Sequence, residues 1–520
     1  MTSRESHQLA FELLSARRWR EAETICRELI EREPDKAGVH YNMGLALAEQ
    51  GRAAEAIAYY QHAIDLQPDF ASAHNNLGNS LIALDRFDEA IAALQCALAL
   101  KSDVAKTHNN LGNALLHSGR HEESVASYRR AIELQSDFAV AHNNLGAAYE
   151  KLGRLDDALT CFERAIALQP NDTEPRKNLA SLMVGSGRLD DALTGYSQTL
   201  ALDPAHAEAH MYKGIVLLLQ GNWLAGWPEY EWRCRRKEFL DTYRYSQPRW
   251  DGRELRGATI LLHAEQGMGD TIQFIRYARL VAARGGRVIV ECQRELATLF
   301  RGVEGVDHVI ARGEPIPAFE TQLPLLSLPA IFATTPDTIP GRSPYLRTDP
   351  VQVERWRKTL DAEGNSPRIG LAWAGSPTHK GDRHRSFPLQ TFAPLARSQG
   401  VRFYSLQKGS AAAQAANPPD GLDLHDHTAQ LKDFADTAAL IANLDLVIAV
   451  DTAAVHLAGA LGKPVWTLLP AAPDWRWLQN REDTPWYPTM KLLRRKTSED
   501  WVSVTTQVAA NLTKLTDFRL

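Results

Sequence analysis

The first part of the chain repeats itself every 34 residues, and this constrains the fold more than any bulk property does. Asn42, Asn76, Asn110, Asn144 and Asn178 recur at that step. Two places later come Gly44, Gly78, Gly112 and Gly146, followed by Ala180 and Gly214, with Leu77, Leu111, Leu145 and Leu179 in the place between. Ala56, Ala90, Ala158 and Ala192 mark a second helix in each copy, with Ser124 in the gap, and Pro68, Pro170 and Pro204 close it. The pattern predicts helix–turn–helix units starting at residues 37, 71, 105, 139, 173 and 207, after a degenerate copy from about residue 3. The small residue at the eighth place lets two helices approach closely, and Gly51, Gly119, Gly153, Gly187 and Gly221 fall at the turns. A lone amphipathic pair cannot bury both faces, so the copies are expected to stack into a superhelix whose concave face holds another protein.

Bulk properties narrow the partners. At 520 residues the chain is too long for one core, so two or three domains are expected. The net charge is −5 and there is no basic block, which argues against nucleic acid or an anionic membrane as partner. The start, MTSRESHQLAFELLSARRWR, has no apolar signal core. The most apolar stretch, Leu444 to Leu468, is broken by Asp445, Asp451, His456 and Lys463, so no membrane span is expected. Five scattered cysteines argue for reduced thiols and a cytoplasmic protein.

The Asn column is expected to face the groove. A ladder of Asn42, Asn76, Asn110, Asn144 and Asn178 can bind a peptide backbone of any sequence, since each carboxamide both donates and accepts. The neighbours Asn75, Asn109 and Asn143 thicken it. The alternative is that Asn is repeat consensus, solvated and without a ligand. Side chains facing a groove should matter little to stability. The column His74, His108 and His142 reads as helix packing, its members being too far apart for one metal. After Gly221, the aromatics Trp223, Trp227, Tyr230 and Trp232 suit a cap, so the array is taken as residues 1–240, with a connection over 241–256.

Beyond it, short Val/Ile/Leu-rich runs alternate with helical patterns. Ile260–His263, Val288–Glu291, Val306–Ile310, Ile369–Trp373, Phe403–Leu406, Leu446–Val450 and Pro464–Leu468 are the predicted strands. Such alternation gives parallel sheets with helices on both faces. The Pro/Gly-rich stretch from 340 to 366 divides this half into two doubly wound lobes, 257–350 and 366–520. Ligands of such sheets bind at the carboxyl ends of strands, where three loops fall. In the first, Gly267, Gly269 and Asp270 open a helix; Asp270 is either a helix cap or a general base. The second carries Ser376, Thr378, Lys380, Arg383, Arg385 and Ser386, hydroxyls and cations that suit a phosphate. The third runs Asp451-Thr452-Ala453 to His456, where small residues leave helix N-terminal amides open to an anion. Gln407 and Lys408, past another strand, join the same rim. There is no Asp-x-Asp pair, which disfavours a metal-dependent nucleotide-sugar site, and the third glycine of a dinucleotide fingerprint is missing.

The 34-residue unit has the spacing of the tetratricopeptide repeat. The three loops, in this order, resemble the two-lobed GT-B glycosyltransferases, most closely the heptosyltransferase-like family, through Gly269-Asp270 and the long segment from Asp445 to Pro464. Ala453 stands where that family usually has Gly. The resemblance implies an α-helical superhelix followed by an α/β GT-B fold of two Rossmann-like lobes, Asp270 as catalytic base, and Asp451, Thr452 and His456 on the donor. The layout is similar to the protein O-GlcNAc transferases, whose Gln and Lys near donor phosphate resemble Gln407 and Lys408, and to repeat-bearing flagellin glycosyltransferases. It implies a metal-independent transferase, with no cofactor, that moves a sugar from a nucleotide-sugar to a Ser or Thr of a protein such as flagellin or another surface protein. Homo-oligomerisation, a saccharide or lipid acceptor, and a scaffold with an inactive transferase lobe remain open.

Overall fold

A computed structural model describes residues 2–243, 245–341, 343–364, 366–377, 381–496 and 500–517. The chain forms two compact units, Met1–Ala205 and His206–Leu520.

The first unit is a run of helical hairpins. Ser3–Ser15 pairs with Trp19–Arg32, Ala37–Glu49 with Ala53–Leu66, Ala71–Ile82 with Phe87–Leu100, Ala105–His117 with His121–Leu134, Ala139–Lys151 with Leu155–Leu168, and Thr173–Gly185 with Leu189–Leu202. Each first helix starts at the residue expected from the 34-residue step. The close approach at the eighth place is real: a Cβ on Gly112 would lie 2.5 Å from the Tyr128 ring, and one on Gly146 would lie 2.7 Å from Phe162. Where Ala180 replaces the glycine, the small residue has moved across the interface to Gly195. The turn column is left-handed, as at Gly119 with φ 82°, and Asp85 fills the gap in that column at φ 58° without being glycine.

The asparagines do something the sequence did not suggest. They bond to one another between repeats, each reaching one repeat and one residue back. Asn110 Nδ2 donates to Asn75 Oδ1 at 3.1 Å, Asn144 Nδ2 to Asn109 Oδ1 at 3.1 Å, and Asn178 Nδ2 to Asn143 Oδ1 at 2.9 Å. At the start of the series Tyr41 takes the place of an asparagine, its hydroxyl accepting from Asn76 Nδ2 at 3.1 Å. Asn144 spends its second N–H on Asn113 at 3.0 Å. The doublet thus stitches adjacent repeats together, which differs from side chains waiting freely in a groove. The histidine column packs as expected: the Nε2 atoms of His74, His108 and His142 lie 3.0, 2.9 and 3.1 Å from the carbonyls of Pro68, Ser102 and Ser136 in the loops between repeats.

The second unit begins with the hairpin Ala207–Leu219 and Trp223–Tyr230, so the final helical pair belongs with the α/β part, not with an array ending at 240. Two parallel sheets follow. The first contains β1 (Thr259–His263), β2 (Arg287–Cys292), β3 (His308–Ala311) and β4 (Thr321–Pro324) in the order β3-β2-β1-β4. The second contains β5 (Arg368–Ala372), β6 (Arg402–Ser405), β7 (Leu424–His425), β8 (Leu446–Val450), β9 (Val465–Leu469) and β10 (Met490–Arg494) in the order β10-β9-β8-β5-β6-β7. All neighbours are parallel, and all five residues of β8 are buried, as a strand covered on both faces requires. Ile369, Leu371, Ile448, Val450 and Leu468 form one core with Val504, Val508 and Leu512 of the helix Trp501–Asp517. Each sheet reverses direction beside its first strand, between β1 and β4 and between β5 and β8.

Candidate active site

Parallel strands deliver their following loops to one edge of a sheet. Ala372 at the end of β5 pairs with Ala449 in β8, and Leu371 pairs with Ser405 in β6, so the loops after these three strands are neighbours at the switch point. The loop after β1 meets them across the two lobes.

That meeting is built on small residues and charge. Gly267 stands at the start of the helix Met268–Phe274, and its amide donates to Asp270 Oδ2 at 3.0 Å. A Cβ on Gly269 would lie 2.7 Å from His456 Cδ2, so glycine lets the first lobe lie directly against the helix Ala453–Ala460 of the second. His456 Nδ1 is 3.0 Å from the Tyr487 hydroxyl, and its Nε2 is 3.7 Å from Asp451 Oδ1. Trp477 Nε1 donates to Asp451 Oδ2 at 2.8 Å. Burial pushes the Asp451 carboxyl up, but His456, Arg476 and the Trp477 bond outweigh it and hold it down at about 2. A carboxylate with a cation and an indole donor beside it stays ionised.

The residue that organises this cluster is Arg476, which sequence reasoning missed. Its guanidinium donates Nη2 to Asp270 Oδ1 and Nε to Gln273 Oε1 at 2.8 Å, while Nη1 lies 2.8 Å from Asp474 Oδ1. It is buried, with 6% of its surface exposed, so its pair with the largely buried Asp270 is shielded from water, while Asp474 lies at the exposed end of the cluster. Asp270 closes the first turn of its helix through the Gly267 amide and is held at the junction of the lobes by Arg476. Two of its roughly four lone-pair sites are taken, which leaves capacity for a substrate hydroxyl. The only signal for Arg476 in the sequence was an arginine between two tryptophans, Trp475 and Trp477, after Asp474.

The last helical pair braces the same loop. Arg233 donates to both oxygens of Glu265, at 2.7 and 3.1 Å, and Gln266 Nε2 donates to the Tyr230 hydroxyl at 3.0 Å. Trp223 stacks on Trp486, with ring centres 5.2 Å apart, and Trp227 meets Trp475 edge-on at 5.4 Å. Glu265 is thus occupied. His263 is buried 3.1 Å from Gln322 Oε1, and burial holds its ring down to about 4.

The other expected residues divide. In the loop after β5, Asp382 Oδ1 accepts from Arg385 Nε at 3.2 Å and from Ser386 Oγ at 2.8 Å, and Ser386 Oγ accepts from the Gly375 amide at 2.8 Å. Asp382, which the reading of this loop's hydroxyls and cations did not include, therefore shapes it. Arg383 is exposed, with Nε 3.0 Å from His384 Nε2, and Ser376 lies in the same loop. Lys380 and Thr378 lie outside the described residues. Gln407 is buried and spends its amide internally: Oε1 accepts from Trp373 and Ala374 at 2.9 and 2.8 Å, and Nε2 donates to the Ala374 and Lys408 carbonyls at 3.0 and 2.9 Å. It holds the β5 loop in place and has no donor left for a ligand. Lys408 Nζ donates to the Thr428 and Leu431 carbonyls at 2.9 and 3.0 Å. Thr452 precedes the helix Ala453–Ala460, and its Oγ1 is buried without a hydrogen-bond partner.

Comparison with known proteins follows the same division. A tetratricopeptide repeat model matches residues 69–137, 103–171 and 137–205, and a second repeat model matches 44–85. The glycosyltransferase family 9 (heptosyltransferase) model matches residues 406–496, the segment that holds Asp451, His456, Arg476 and Tyr487. Protein FlbA of Caulobacter vibrioides is 30% identical over 337 residues, which are 59% of this chain and 54% of that protein. The chain thus spans about half the length of this curated relative. Among solved structures, the APC/C hetero-tetramer Cut9–Hcn1 gives a TM-score of 0.39 at 20% identity, covering 41% of this chain and 43% of that one. PilW, a type IV pilus biogenesis factor, gives 0.36 at 22%, covering 40% and 97%. No described helix is long and apolar enough to cross a membrane. The chain carries tetratricopeptide repeats in its N-terminal part and a glycosyltransferase family 9 domain in its C-terminal part.

Proposed function

We propose that the protein is a cytoplasmic glycosyltransferase that moves a sugar from a nucleotide-sugar to a Ser or Thr hydroxyl of a protein, flagellin or another surface protein, recruited by the helical repeats. The observation that carries this is the junction at Gly269, where Asp270 of one lobe meets Asp451, His456 and Arg476 of the other. The acceptor oxygen attacks the sugar C1, and the bond from C1 to the donor phosphate breaks. The acceptor proton passes to Asp270, and a nucleoside diphosphate leaves. Its charge is met by the free amides at the start of Ala453–Ala460, by the unpartnered Thr452 hydroxyl and by Arg383, Arg385 and Lys408. A single base without a protein nucleophile favours inversion at C1. Arg476 holds Asp270 in place through the bond from its Nη2 to Asp270 Oδ1.

Recruitment rests on the repeats. The bonds to Tyr41, Asn75 and Asn143 take one N–H each from Asn76, Asn110 and Asn178, leaving one donor and carbonyl lone pairs on each for a peptide backbone. Asn42 adds its carboxamide to a cavity of about 550 Å³ with His7, Tyr41 and Phe70.

The test is release of nucleoside diphosphate from a panel of nucleotide-sugars, with label followed into protein. Release with one donor and label on Ser or Thr is expected. No release from any donor supports the scaffold alternative, and label in saccharide or lipid alone removes the protein acceptor.

A further inference from the structure

Away from that junction, at the β7 edge of the second sheet, three metal-ligating side chains converge. Glu363 lies just past the helix Pro350–Asp361, His425 ends β7, and His427 follows two residues on. One ligand atom from each lies within 4.8 Å of the others. His427 Nε2 is 2.9 Å from Glu363 Oε1, and His425 Nδ1 is 3.5 Å from the same oxygen. All three residues are half-buried. Ligands at ~2.0–2.1 Å from a tetrahedral zinc ion stand about 3.3 Å apart, so the observed separations bracket those of a bound site.

The groups behind the cluster point the same way. The far nitrogen of His425, Nε2, lies 3.0 Å from Asp423 Oδ1, which places a carboxylate behind an imidazole whose other nitrogen faces the cluster. That arrangement fixes the tautomer and raises the basicity of metal-bound histidines. The second oxygen of Glu363, Oε2, accepts from the Tyr404 hydroxyl at 3.0 Å, so Oε1 is turned toward the histidines. The nearby cation, Arg402, is turned to Asp423 Oδ2 at 3.3 Å and to the Glu363 carbonyl.

We propose that Glu363, His425 and His427 form a binding site for a divalent first-row metal ion, zinc above all, that staples the edge strand β7 to the segment after the helix Pro350–Asp361. Two imidazoles and one carboxylate suit zinc, with water as fourth ligand, and do not suit magnesium or calcium. The site is structural: β6 separates β7 from β5, and the proposed transfer step does not pass through it.

The test uses the full chain, stripped of metal by dialysis and titrated with zinc and with cobalt alone. Calorimetry should give one saturable zinc per chain, zinc should raise the melting temperature, and cobalt should give visible absorption of a four- or five-coordinate site. Glu363→Gln and His427→Ala should each abolish the one-equivalent binding, and Asp423→Asn should weaken it about 10–100-fold. Glu363→Gln keeps the shape and the Tyr404 bond, so its loss of zinc decides the matter even if His427→Ala folds poorly. No saturable binding, or binding unchanged in Glu363→Gln, would overturn the proposal and leave a hydrogen-bonded histidine–carboxylate cluster.

Discussion

At the scale of single residues, the electrostatics of the lobe junction make testable demands. Asp451 has its folded-state value depressed to about 2, so its contribution to stability is fully present above the unfolded value near 4 and is lost as pH falls through 2. The shift is worth about 2 kcal/mol. Asp451→Asn should therefore be less stable than the parent at pH 7, with the gap closing between about pH 4 and pH 2 in denaturant melts. A constant gap across that range would mean that Asp451 stabilises through shape alone. Arg476→Met leaves the largely buried Asp270 without its cation, and breaking such a pair costs about 3–5 kcal/mol, read in denaturant melts. Seven of the ten described strands and the glycine turn before Asp270 were legible because they depend on local pattern. Arg476 was not, because its partner Asp270 lies 206 residues away and no spacing connects them. Gln407 was misjudged for a related reason: its residue type suits a ligand, but its amide is satisfied by backbone groups brought near only by folding.

Among the elements, the repeat starts were legible to the residue, because a 34-residue step and a close-packed glycine leave little freedom. β4, β7 and β10 were missed: Thr321–Pro324 and Leu424–His425 are short and partly polar, and Met490–Arg494 begins and ends on residues that do not mark a strand. The turn column offers a contrast of sign. Gly119→Ala forces a side chain into φ 82° and should cost about 1 kcal/mol, whereas Asp85→Gly relieves φ 58° and should be neutral or stabilising by less than about 1 kcal/mol. Equal losses at both positions in thermal melts would contradict the turn geometry. Replacing Asn76, Asn110 and Asn144 together with Ala should destabilise the repeats by roughly 1 kcal/mol per lost bond, because those bonds tie each copy to the one before. Unchanged stability with weaker acceptor binding would return the column to a purely ligand-facing role.

For the whole molecule, the division at residue 205 sets the useful truncation. Residues 206–520 retain the hairpin that braces the Asp270 loop, through Arg233 and Tyr230. That fragment should fold and release nucleoside diphosphate from the donor, while losing transfer to protein. Beginning instead at residue 241 removes Arg233 and leaves Glu265 buried without its cation, at a cost of about 3–5 kcal/mol. Such a fragment should be markedly less stable in denaturant melts. The account rests most directly on Asp270 as the base for sugar transfer. The measurement that tests it is the rate of label transfer from nucleotide-sugar to protein by Asp270→Asn beside the parent, with donor affinity measured on both. The account predicts a loss of about 10²–10⁴ in rate with donor binding retained; transfer at the parental rate would contradict it.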